Sequence, residues 1–128
     1  MHVTLHDIQQ YLNEVQDSIK NERYRIEMNS RRQDNRALFI DYVLDESSAK
    51  DILLSLEPTD FSEIRRNEHK GFEHELLYVF GKEVKLLERI GNSEKKVKLY
   101  IKFNKLENRY IIVISLHKQK YPLKYYFK

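Results

Sequence analysis

The sequence predicts an α+β domain with N-terminal helices packed on one face of a C-terminal antiparallel β-sheet. Three observations predict it. Apolar residues recur at spacings of three and four through the first 57 residues. From Asp60 onward the period changes to two. Glycine and proline are scarce, three and two among 128 residues, so regular elements are joined by short loops. There is no linker, internal repeat or low-complexity stretch, and residues 1–128 read as a single domain.

Leu5, Ile8, Leu12, Val15 and Ile19 fall on one helical face. Thr4 followed by Asp7 resembles a capping box, so a first helix runs from Leu5 to Lys20. Tyr24 to Met28 alternates loosely and reads as a short strand. Arg31 to Val43 is a second helix with Leu38 and Tyr42 turned inward. Asp45 or Ser47 caps a third, whose stripe is Ala49, Ile52, Leu53 and Leu56 and which Pro58 ends. Phe61, Ile64 and the surrounding arginines suggest a strand or extended loop. Glu75 to Phe80 is a further strand, with Gly81-Lys82 as a turn or bulge after it. Lys96 to Asn104 alternates cleanly: Val97, Leu99, Ile101 and Phe103 point one way, and Lys98, Tyr100, Lys102 and Asn104 the other. Gly91-Asn92-Ser93 precedes that strand, and Leu106 to Arg109 forms a hairpin turn after it. Tyr110 to His117 carries apolar residues on both faces and is the most buried strand. The aromatic tail Tyr121 to Lys128 docks back on the domain.

The charge is unevenly placed. Residues 1–80 carry 10 Lys/Arg against 16 Asp/Glu, a net −6, whereas residues 81–128 carry 13 against 4, a net +9. Positive charge gathered in one part of a small domain points to a polyanion-facing surface, although a lysine-rich strand edge kept in solvent gives the same composition. Nine tyrosines supply rings that can stack on bases. Cysteine is absent, which excludes disulfides and thiolate zinc sites. The N-terminus lacks the basic and apolar regions of a signal peptide, and the apolar run Tyr110–Ile114 is far shorter than the about 20 residues that span a bilayer. A cytoplasmic protein without membrane contact is expected. His69, Glu73, His74 and Glu75 lack the helical His-Glu-x-x-His spacing, and His2 and His6, spaced i, i+4 at a helix start, read as surface residues, so no metal site is expected. No phosphate-binding glycine loop, nucleophile elbow or paired-carboxylate signature occurs, and no small-molecule cofactor is expected.

Four segments carry a family likeness. They are Phe61 after Pro58-Thr59-Asp60, then Leu77-Tyr78-Val79-Phe80-Gly81-Lys82, then Leu99-Tyr100-Ile101-Lys102-Phe103, and last Val113-Ile114-Ser115-Leu116-His117 running into Tyr121-Pro122-Leu123-Lys124-Tyr125. In order and spacing, over residues 35–128, they resemble the MqsR-type mRNA interferase toxins, in the branch that ends in a Ser-Phe-His strand followed by Tyr-Pro-Leu. Residues 1–30 look like an added N-terminal helix and short strand. The resemblance implies a RelE-like fold, endoribonuclease activity on mRNA, and a cognate antitoxin protein that silences it. By position it carries the active tyrosine to Tyr100 and the basic residue of the last long strand to His117, with Lys102 on the polar face beside Tyr100. The family's further lysine falls near Glu63, with Arg65 and Arg66 close by; its polar residue in the second strand falls among Leu77 and Tyr78; and Leu116 stands where that branch usually has Phe.

The chemistry agrees with those residue types. Metal-free RNA cleavage needs a base for the 2′-hydroxyl, an acid for the leaving 5′-oxygen and cations for the phosphorane. His117, Tyr100 and Lys102 are the candidate catalytic residues. Lys98, Arg65, Arg66, Lys82, Lys118 and Tyr121 are candidate RNA contacts. Period two puts His117 on the side of Ser115 and Val113, and a hairpin about Leu106–Arg109 pairs that strand with the one carrying Tyr100. The alternative is a non-catalytic RNA- or protein-binding regulatory module on the same fold, of the kind a phage or mobile element encodes, since a fold does not fix a function.

Overall fold

A computed structural model describes residues 2–128. Helix α1 (Leu5–Lys20) starts at a reciprocal capping box: the Asp7 N–H donates to the Thr4 hydroxyl, and the Thr4 N–H donates to the Asp7 carboxylate. Ile8, Leu12, Val15 and Ile19 are wholly buried, and each contributes roughly 1.5–3 kcal/mol of apolar burial. Leu5 is exposed and leaves the stripe; Tyr11 joins it instead, stacked on Tyr78 with ring centroids 3.7 Å apart. These side chains belong to the same core cluster as the buried residues of the sheet.

Strand β1 (Tyr24–Ile26) is followed by α2 (Gln33–Asp41) and α3 (Glu46–Leu54). Asp45 caps α3, accepting from the Ser48 N–H. Pro58 does not end α3, which stops at Leu54; it opens a turn of 3-10 helix, Pro58–Asp60. Four strands follow: β2 (Phe61–Arg66), β3 (Leu76–Leu87), β4 (Glu94–Lys105) and β5 (Ile111–Lys118).

The sheet order is β1-β5-β4-β3-β2. It is mixed, which corrects the antiparallel expectation: β2 to β5 form an antiparallel meander, and β1 pairs parallel to β5, Tyr24 against Ile111. A further correction concerns the register. Gly81-Lys82 is neither turn nor bulge, because β3 runs through it to Leu87. The irregularities lie elsewhere, at Ser62 in β2 and Ile114 in β5, each an extra residue with no partner opposite.

Helix α1 covers one face of the sheet, where Phe80, Leu99, Ile101, Phe103 and Val113 are buried. Helix α2 sits at the edge of β5 just past the end of β1. Its Asn35 side chain takes over from the strand there, donating to the carbonyls of Glu27 and Ile114 and accepting from the Leu116 N–H, each at 2.9 Å. The C-terminal segment returns along β2: the Tyr126 N–H donates to the Phe61 carbonyl, and the Ser62 hydroxyl donates to the Lys124 carbonyl. It crosses the sheet face opposite α1 at Gly81. A Cβ there would lie 2.5 Å from Tyr125 Oη and 2.7 Å from Leu123 Cδ1, so this glycine serves close approach. Among the described residues no helix is long and apolar enough to cross a membrane.

Candidate functional site

The sheet face opposite α1 is crossed by the C-terminal segment at Gly81 and is partly open beside it, and β4 supplies its centre. With Leu99, Ile101 and Phe103 committed to the core, Lys98, Tyr100 and Lys102 must face the other way. In β5 the same rule, applied without interruption, would bury His117, because Val113 is in the core opposite Phe103. The bulge at Ile114 resets the alternation. Beyond it Ser115 lies opposite Lys102 and His117 opposite Tyr100, on the open face. His117 and Ser115 therefore do not share a side with Val113, contrary to the period-two expectation, and the bulge is what brings the three candidate catalytic side chains together. Asn35 clamps this bulge from both sides.

The Tyr100 and His117 rings stack, with centroids 5.2 Å apart and planes 10° apart. His117 Nδ1 lies 2.8 Å from the Lys118 carbonyl. A carbonyl only accepts, so Nδ1 is the donor here, and in the neutral imidazole this tautomer leaves the lone pair on Nε2. The pair borders a cavity of about 450 Å³ also lined by Arg32, Arg65, Lys102 and Tyr121. Burial pushes the Lys102 ammonium below the usual lysine range; Arg32 and Arg65 push the same way and Glu68 opposes them. Burial pushes the Tyr100 phenol up, with Arg65 opposing and Glu63 adding to the rise. At the rim, Lys120 and Asp34 form an ion pair at 2.8 Å that holds the Asp34 carboxyl below the usual range. Arg65 is paired with Glu63 at 3.0 Å on an exposed strand, a contact worth little in solvent and readily exchanged for an anion.

The candidate RNA contacts divide between the two faces. Arg65 and Tyr121 line the cavity with Tyr100, Lys102 and His117. Lys98 lies on the same face, further along β4 and opposite Glu83. Arg66, Lys82 and Lys118 do not join them. Arg66 lies opposite Leu76, on the α1 side with Ile64 and Tyr78. Lys82 lies opposite the buried Leu99, and its ammonium donates to the Ser55 carbonyl and sits 3.6 Å from Asp60. Lys118 also lies opposite Leu99, with its ammonium over the Tyr42 ring. For all three, strand parity decides the side.

Sequence reasoning missed Arg32, Lys120 and Asp34. Arg32 is the N-cap residue of α2 and reaches the cavity because Asn35 ties that helix to β5. Its one local signal is the Arg31-Arg32 doublet ahead of the helix. Among the described residues no three His, Asp or Glu side chains converge as a metal site; His69, Glu73 and His74 lie in the exposed segment between β2 and β3. No protein-family model, curated protein or solved structure matches the chain.

Proposed function

We propose that this protein is a metal-independent endoribonuclease that cuts mRNA, the toxin of a bacterial toxin–antitoxin pair with a RelE-like arrangement of helices behind an open sheet face. The observation that carries the reading is the parallel stack of Tyr100 on His117 with Lys102 beside it on a concave, cationic surface.

On this reading His117 Nε2 takes the proton of the 2′-hydroxyl, and the oxygen attacks the adjacent phosphorus. Arg32, Arg65 and Lys102 stabilise the charge that gathers on the phosphorane. The Tyr100 phenol, with its pKa raised, keeps its proton and donates a hydrogen bond to a phosphate oxygen. The Lys102 ammonium, with its pKa lowered, is the better proton donor to the departing 5′-oxygen. The products are a 2′,3′-cyclic phosphate and a 5′-hydroxyl. Tyr121, at the rim of the cavity, provides a ring for a neighbouring base. A cognate antitoxin is the protein partner the reading requires.

The test is purified protein with end-labelled mRNA in EDTA. Cuts ending in cyclic phosphate, absent when the 2′-hydroxyl at the cut site is removed, are expected. His117→Ala and Tyr100→Phe should slow cutting by about 10²–10⁴-fold, the span of general acid–base and hydrogen-bond contributions. Tight, salt-sensitive RNA binding with no products would replace the nuclease by the binding-module alternative. Growth arrest on induction, relieved by a neighbouring small gene, tests the toxin assignment.

A further inference from the structure

A second recess, of about 830 Å³, lies beside the first on the open face, and Arg32 lines both. Strand β4 links them: Lys102 borders the first, and Asn104, two residues on, borders the second. Two strand residues advance by about 6.7 Å, close to one nucleotide of an extended chain. Behind them on the same face stands Lys98, so β4 presents a cation, the tyrosine of the stacked pair, a second cation and then an amide in one line.

The second recess is differently built. Its wall carries Phe72, 52% exposed although aromatic, and its apolar side is Ile112 and Ile114. Its polar part is held rigidly. The amides of Asn67 and Asn104, 9% and 5% exposed, both donate to Oε1 of Glu75, at 2.9 and 3.0 Å. Asn67 in turn accepts the His69 N–H at 3.0 Å. Glu75 Oε2 and Asn104 Oδ1 accept no hydrogen bond within the described residues. A stacking ring, an apolar side and two fixed, unused acceptors are the requirements of a nucleobase site.

We propose that this recess seats the base one nucleotide from the scissile phosphate, with Phe72 stacking on it and Glu75 accepting from its Watson–Crick edge, and that it selects guanine. The inference rests on the nuclease reading for the register of the RNA. Guanine follows from the acceptors: it alone offers two adjacent N–H donors, whereas adenine and cytosine set a repelled acceptor beside their amino group and uracil flanks its single donor with carbonyls.

The experiment compares wild type, Phe72→Ala and Glu75→Gln on an RNA panel carrying each base beside the cut, and measures binding of guanosine and uridine monophosphates calorimetrically. Glu75→Gln can still accept from both asparagines but presents an amide in place of the second oxygen. Circular dichroism checks both folds, and Phe72, on an exposed turn, decides if Glu75→Gln does not fold. The expected result is a guanine preference of about tenfold or more in the wild type, lost in both variants while the residual cutting is spread over other sequences. An unchanged cut-site preference in both variants overturns the subsite and leaves the nuclease intact. If the wild type cuts nothing, the nuclease reading fails. Guanosine monophosphate binding weakened in both variants then still upholds the subsite, and no preference for it over uridine monophosphate overturns that too.

Discussion

Replacing Asn35 by leucine keeps the fork at Cγ, with more bulk, and removes three hydrogen bonds from a residue that is 1% exposed. The Ile114 carbonyl and the Leu116 N–H are left without partners in a buried position, because β1 has ended and no strand replaces it. Each orphaned group costs about 1–3 kcal/mol, so the expected loss is about 4 kcal/mol, out of a total of about 5–15 for a domain of ordinary stability. With a urea slope of about 1.5 kcal/mol/M, the midpoint falls by about 2.5 M. A second effect is separate from stability. The bulge loses its clamp, and His117 loses its enforced position opposite Tyr100. Cutting per folded molecule, measured well below the new midpoint, falls along with it. Asn35→Asp keeps the acceptor for Leu116 but removes both donated bonds, and lies between the two. A midpoint within about 0.5 M of wild type for Asn35→Leu would refute the claim that this side chain substitutes for a strand.

Gly81→Ala places a methyl against Tyr125 and Leu123. It should destabilise by about 1–3 kcal/mol and make the segment after Gln119 cleavable by trypsin at Lys120 and Lys124, read by mass spectrometry. Lys102→Met should abolish cutting yet give a protein at least as stable as wild type at neutral pH, because burial opposes the ammonium in the folded state. The sign fixes the pH window. The folded value lies below the unfolded 10.5, so the penalty is complete at lower pH and disappears as pH rises toward 10.5. The gap in melting temperature between the two proteins therefore narrows on going from pH 7 to pH 10. At the other end of the scale, the Thr4 and Ser48 hydrogen bonds hold Asp7 and Asp45 below their ordinary 3.8. Their stabilisation is complete above that value and lost as pH falls through the folded values. Urea titrations of Asp7→Asn and Asp45→Asn should show a shallower acid decline than wild type.

What the sequence disclosed depended on how local each cause is. Helix α1 was legible to both ends because capping box and stripe are contained within it. Strand β4 was legible because one face is core and the other solvent, and alternation records that directly. Strand β1 was visible as a segment, but its parallel pairing was not, since the partner lies at the far end of the chain. Gly81 shows the ambiguity of a lone glycine. The residue type fits a turn or a close neighbour equally, and the neighbours here are Leu123 and Tyr125. The site was half legible for the same reason. Tyr100 and Lys102 follow from β4 alone. His117 reaches their face only through an extra residue defined by two strands at once, and an unbroken alternation from Val113 would have sent it the wrong way. Lys82, Lys118 and Arg66 looked suitable by charge, a property that carries no information about which side of a sheet a residue occupies.

The clamp between α2 and β5 also has a kinetic meaning. Asn35 and Ile114 are 79 residues apart, and β1 is further still from its strand neighbour. Contacts across so much chain close late in folding. On the ribosome, the imidazole would therefore acquire its fixed direction only after β5 has emerged. On the proposed nuclease reading, a nascent chain therefore stays inactive until β5 has joined the sheet.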